Sequence, residues 1–183
     1  GKQVTDYTDV SSSAWYYDAA KYVTDKQLMS GEKPYVFGAD EALTHAEVAS
    51  ALYNLAGQPK VELASFTDVP VTHQARTAIA WAAKTGIMKG VGDNKFEPDR
   101  SVSREEIATL LTRQRKLSGE DVSADKAAIN EFADSAKISS WAVDGVAYCT
   151  KSGLVKGNPG KVFAPAGNTT RAELATIIQR IAA

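Results

Sequence analysis

The chain is poor in the residues that build redox and metal chemistry. Among its 183 residues there is one cysteine, Cys149, so no internal disulfide can form. Two histidines, His45 and His73, cannot make a recurrent zinc site with that single thiol. Asp93-Asn94 followed by Asp99 hints at a calcium loop but lacks the alternating ligands, central glycine and closing glutamate. No glycine-rich phosphate loop, nucleophile elbow or Ser/His/Asp order is present. Neither a metal nor a cofactor is therefore expected. An excess of one charge is missing too: 21 Lys+Arg against 22 Asp+Glu give a net charge of −1, which argues against a nucleic-acid binder with its basic face. No apolar run approaches the roughly 18–20 residues of a membrane span. Gly1-Lys2-Gln3 leads directly into polar sequence with no signal peptide, so an exported protein would be represented here by its mature part.

What the chain has is apolar content, 44% of residues, too high for disorder. A chain of this size buries roughly 70% of the surface its unfolded form exposes. One unit built of tight repeats is expected over 1–183, with a single chain sufficient for the fold.

Three segments align, over 7–57, 66–116 and 132–183. They open on Tyr7-Thr8-Asp9-Val10, Phe66-Thr67-Asp68-Val69 and Phe132-Ala133-Asp134-Ser135. Gly31, Gly90 and Gly157 each precede a phenylalanine by six residues: Phe37, Phe96 and Phe163. Eight residues after each phenylalanine stands His45, Arg104 or Arg171, and two further on Glu47, Glu106 or Glu173. Invariant spacing through three copies is a strong repeat signal.

Each repeat reads as helix, loop, helix. Ala75, Ala78, Ile79, Ala82 and Ala83, and likewise Trp141, Gly145, Val146 and Cys149, recur at helical spacing. These first helices should end at Gly86 and Gly153, with Gln27 making a looser cap in the first repeat. The second helices start after Thr44, Ser103 and Thr170. Their stripes, Val48/Ala49/Leu52/Leu55, Ile107/Leu110/Leu111 and Leu174/Ile177/Ile178/Ile181, cannot be buried within one repeat and should meet in a shared centre. Cys149 reads as a small core residue, and a short helix is expected in the linker at 123–129.

With the repeats laid out, the sequence resembles a triple S-layer homology domain. The carrying residues are FTDV (66–69), GIMKGVGDNKFEPD (86–99), VSREE (102–106), GLVKG (153–157), FAP (163–165) and TTRAE (169–173), with weaker counterparts in the first repeat. The resemblance implies an all-α, pseudo-threefold arrangement of helix-loop-helix repeats around a central three-helix bundle. It also implies a non-catalytic anchor on the bacterial cell surface. Its partner would be the secondary cell wall polysaccharide, often carrying pyruvylated N-acetylmannosamine, bound in grooves between repeats.

Thr44/Glu47, Ser103/Glu106 and Thr170/Glu173 fit capping boxes, which would occupy all three glutamates. Arg104 and Arg171 are different. They fall at the first helical position, where the helix dipole disfavours a cation by about 0.3–1 kcal/mol. Free amides at a helix start attract anions, and a guanidinium beside them would complete a receptor for a sugar carboxylate. The alternative is an internal pair with a nearby aspartate; the repeated placement against local preference favours the anion. Trp15 and Trp141 are equivalent, with Gln74 in that place in the second repeat. They read equally as packing or as sugar platforms. Asp9, Asp68 and Asp134 would close local turns, orient the arginines or accept from sugar hydroxyls. Gly31, Gly90 and Gly157 call for positive φ or a close backbone approach.

Repeat one departs at the arginine position (His45) and repeat two at the tryptophan position (Gln74). If each groove joins the basic residue of one repeat to the Asp and Trp of the next, both departures fall in one groove: His45, Asp68, Gln74. Arg104/Asp134/Trp141 and Arg171/Asp9/Trp15 then stay intact, and His45 brings a group that can titrate near neutral pH. A structural or protein-interaction module is the alternative reading. A glycosidase would need two facing carboxylates roughly 5–10 Å apart, and no pair beyond the capping glutamates offers itself.

Overall fold

The computed structural model describes residues 1–182, and the described residues form helices joined by loops with isolated bridges only. Six α-helices carry the architecture: α1 (Tyr17–Asp25), α2 (His45–Leu55), α3 (Arg76–Thr85), α4 (Arg104–Leu117), α5 (Val143–Ser152) and α6 (Arg171–Ala182). Gly86 and Gly153 end α3 and α5 in the left-handed region at φ 79° and 73°, the conformation that glycine tolerates at a helix end. Gln27 takes the same left-handed place after α1, at φ 56°, without glycine's freedom. The linker helix is a 3-10 turn at Lys126–Glu131.

The helices pair between repeats rather than within them. The second helix of each repeat carries the first helix of the next: α2 packs on α3, α4 on α5, and α6 closes back on α1. The apolar stripes are buried in these pairings, with Val48, Ala49, Leu111, Leu174 and Ile178 fully enclosed. Trp81, Tyr148 and Cys149 are buried in the same core, and burial pushes the Cys149 thiol up to about 12. At the centre a closed ring of backbone bonds ties the three repeats just ahead of their second helices. The Leu43 amide donates to the Thr169 carbonyl (2.8 Å), the Thr169 amide to Val102 (3.0 Å), and the Val102 amide to Leu43 (2.9 Å). All three residues are buried, so each bond satisfies groups that water cannot reach.

Each loop between first and second helix wraps a buried phenylalanine. Phe37, Phe96 and Phe163 pack against Tyr7, Phe66 and Phe132 with ring centroids 5.4, 5.4 and 5.2 Å apart. The glycine six residues earlier lets that aromatic pair close up. A Cβ on Gly31 would meet Tyr7 Cε1 at 2.6 Å, and one on Gly157 would meet Phe132 Cε1 at 2.6 Å. Gly90 meets the same demand and is also left-handed, at φ 78°. These glycines therefore serve internal packing first.

Candidate functional site

The aspartates do not cap their own helices, as a local turn would have it. Each reaches far along the chain to hold its repeat's loop. Asp9 accepts from the amides of Phe37 and Gly38 (both 2.8 Å), Asp68 from Phe96 (2.9 Å) and Glu97 (2.7 Å), and Asp134 from Phe163 and Ala164 (both 2.8 Å). Two carboxylate oxygens match two successive amides, so one side chain fixes the turn after the phenylalanine. Burial opposes the charge on Asp68 and Asp134, but these amide bonds outweigh it and hold both carboxyls below their ordinary value.

On the other side of each phenylalanine lies the basic residue of the preceding repeat. Arg104 is buried, and its Nε donates to the Phe163 carbonyl (2.7 Å), Nη2 to the Lys156 carbonyl (2.7 Å) and Nη1 to Glu173 (2.6 Å). Arg171 repeats the pattern on the first repeat: Nε to Phe37 (2.9 Å), Nη2 to the Ser30 carbonyl, Nη1 paired with Glu47 at 3.3 Å. The guanidinium carbons stand 5.3 and 5.4 Å from the Phe163 and Phe37 ring centroids. His45 has two nitrogens where arginine has a fork, and it reaches Phe96 O (3.3 Å) and Glu106 (3.2 Å). Arg100 makes up the missing cation, with Nη2 3.3 Å from His45 Nε2 and 3.5 Å from Glu106. The hydrogen bond from His45, with Arg100 beside it, holds the Glu106 carboxyl below its ordinary value.

Two expectations change here. The helix-start amides are not free for an anion, because the next repeat's loop supplies their acceptors. The amides of Arg104 and Glu105 donate to Gly167 and Pro165, those of Arg171 and Ala172 to Glu41 and Ala39, and those of His45 and Ala46 to Arg100 and Pro98. The third amide of each helix goes to the cap hydroxyl of Thr44, Ser103 or Thr170. The glutamates, in turn, are more than caps. Glu47 closes its box on the Thr44 amide (3.3 Å) and pairs with Arg171 as well, while Glu106 and Glu173 turn to His45 and Arg104. Neither arginine pairs with an aspartate. Each guanidinium still has two of its five N–H groups without an acceptor among the described residues.

Clefts open beside these pairs, and each draws on all three repeats. The larger, about 460 Å³, is lined by Arg171, Gly31 and Glu47 together with His73 and Gln74. The Ala75 amide donates to His73 Nδ1 (3.0 Å), which puts the ring proton of the neutral form on Nε2. The smaller, about 200 Å³, is lined by His45, Arg100, Glu106, Gly90, Leu110 and Trp141. The tryptophan position therefore comes from the repeat after the one that supplies the loop. This corrects the expected grouping: Gln74 faces Arg171, and Trp141 faces His45. The two departures fall in different grooves, because each first helix packs on the preceding repeat's second helix. α1 packs on α6 in the same way, and by that repeat a third groove beside Arg104 and Gly157 would take Trp15. Trp15 and Trp141 are 69% and 57% exposed, so they are not core.

The S-layer homology domain model matches this chain three times in tandem, at residues 6–49, 65–108 and 131–175. The chain belongs to the S-layer homology domain family. The S-layer homology repeats found by the model coincide with the segments that carry the three phenylalanine loops and the three basic residues. Relatives include an amylopullulanase of Thermoanaerobacterium thermosulfurigenes, 30% identical over 94% of this chain and 9% of that protein. An S-layer protein of Bacillus thuringiensis subsp. finitimus is 27% identical over 95% of this chain and 21% of its own length. A cellulosome-anchoring protein of Acetivibrio thermocellus is 30% identical over 77% of this chain and 31% of its own length. The S-layer homology chain thus spans less than a third of each of these relatives. Among the described residues no helix is long and apolar enough to cross a membrane, and no three His, Cys, Asp or Glu side chains gather to hold a metal ion.

Proposed function

We propose that this chain fastens a larger protein to the bacterial cell wall by binding an acidic wall polysaccharide, a pyruvylated secondary cell wall polymer, in the grooves between its repeats. The S-layer and cellulosome-anchoring names among its relatives support a place at the cell surface. The chain corresponds to only 9% of the amylopullulanase, so that name says nothing of chemistry in this part. The module acts by binding alone, within the boundaries 7–57, 66–116 and 132–183 and with the second helices gathered in pseudo-threefold fashion at the centre.

The observation that carries the reading is the exposed indole of Trp141, which lines a cleft together with Arg100 and Gly90. An exposed aromatic ring beside a cation suits a sugar that is apolar on its C–H face and carries a carboxylate. In the first and third grooves the two unpartnered N–H groups of Arg171 and Arg104 serve the same end. Their positions are fixed beforehand by internal bonds, so little ordering is needed on binding. Three grooves on one polymer raise retention by avidity. Calorimetry with purified wall polysaccharide tests the reading, before and after acid hydrolysis of its pyruvyl ketals. Saturable binding that disappears with the ketals is expected; equal binding to both preparations, or to neither, contradicts it.

A further inference from the structure

We propose that Arg100 is the residue that reads the sugar's carboxylate in the second groove, so that this groove, which has histidine in place of the buried arginine, binds the same acidic sugar by a separate route. This rests on the binding function above and assigns one residue within it.

In the third groove the Arg104 side chain is 6% exposed and its bonds measure 2.6–2.7 Å, so three of its five N–H groups are committed to the fold. The Arg100 side chain is 48% exposed. It grows from the loop rather than from the helix start, beside the carbonyl that accepts the His45 amide. Its contacts are long: 3.1 Å to Glu97, 3.5 Å to Glu106 and 3.3 Å to His45 Nε2. A ligand carboxylate can take these donors without breaking a short buried bond. Glu106 is not stranded when that happens, because its carboxylate stays 3.2 Å from His45 Nε2.

The surroundings fit such a ligand. Lys89 adds a second positive charge to the lining, and Met88, Leu110 and Trp141 give an apolar wall. A carboxylate on Arg100 with the sugar's C–H face on Trp141 uses both features at once. The corresponding loop positions are Glu41 and Gly167, whose carbonyls accept the amides of Arg171 and Arg104. Neither carries a cation, so the device is peculiar to the groove that has lost its arginine.

The test follows the indole N–H signals of Trp15 and Trp141 by NMR while the pyruvyl ketal of N-acetylmannosamine is added to the whole chain. In the unaltered protein both signals should move. In Arg100→Gln the Trp141 response should require at least tenfold more ligand, with the Trp15 response unchanged. Unmodified N-acetylmannosamine should show no difference between the two proteins. The assignment is overturned if Trp141 responds equally in Arg100→Gln, if both indoles lose their response together, or if the loss is the same for the uncharged sugar. A Trp15 response without any at Trp141 in the unaltered protein overturns the assignment and leaves the anchoring function standing. Silence at both indoles overturns that function as well.

Discussion

Arg104→Ala is expected to lower the stability of the fold by about 3 kcal/mol. The side chain is buried and holds two carbonyls, Phe163 and Lys156, and one carboxylate, Glu173, at 2.6–2.7 Å. Removing it leaves two carbonyls that have lost a charged donor, each worth roughly 1–3 kcal/mol when buried. Breaking a buried ion pair costs about 3–5 kcal/mol, against about 0.2–1 kcal/mol for an exposed one. The Glu173 side chain is 31% exposed and can recover some solvation, which argues for the lower end of the buried range. With a urea m-value of about 2 kcal/mol/M, the unfolding midpoint should fall by about 1.5 M with its slope unchanged. A double-mutant cycle with Glu173→Gln should show about 1–2 kcal/mol of coupling. A loss under about 1 kcal/mol, or no coupling, would refute the account of Arg104 as the bond between the second and third repeats.

Gln27 sits at φ 56° where its counterparts are glycines, a conformation that costs an L-residue about 1–2 kcal/mol. Gln27→Gly should therefore stabilise the protein by about 1 kcal/mol and raise its melting temperature by about 2–4 °C; a lower melting temperature would contradict this. Asp68, Asp134 and Glu106 are all depressed below their ordinary values. A depressed carboxyl adds stability that is complete above its unfolded value and is lost as pH falls through its folded value. Urea midpoints should thus hold steady above about pH 5 and decline progressively below about pH 4, and Asp134→Asn should flatten that decline. A midpoint that does not fall in acid would refute the role given to these carboxylates.

The helices and their caps were legible because their causes are local. Alanine and leucine spacing, the Gly86 and Gly153 stops and the Thr44, Ser103 and Thr170 starts all act within a few residues. The shared core was legible for the same reason: a stripe such as Leu174/Ile177/Ile178 has nothing in its own repeat to cover it. The pairing between repeats was not. Arg171 finds its acceptors at Phe37 and Ser30, near the other end of the chain, and nothing near residue 171 marks them. The same holds for the aspartates, since a turn motif suggests a near partner while Asp9 bonds the amides of Phe37 and Gly38. The grouping of Trp141 with His45 depends on which neighbour each first helix packs against, a choice that spacing within a repeat does not encode. Arg100 carries no repeat signal because it stands at a place where the other repeats carry Glu41 and Gly167. Its meaning lies in compensating for His45, which only the folded contact reveals.

Co-sedimentation with purified bacterial sacculi tests the anchoring claim most directly, comparing the unaltered chain with Trp15→Ala/Trp141→Ala. Both indoles are exposed, so their removal should leave the unfolding free energy within about 0.5 kcal/mol of the original. The account predicts that the unaltered chain pellets with sacculi carrying their acidic polymer and stays in solution when the polymer's ketals are stripped, while the double variant, left with the first groove alone, pellets far less. Undiminished pelleting of the double variant, or pelleting of the unaltered chain that ignores the loss of the acidic groups, would contradict it.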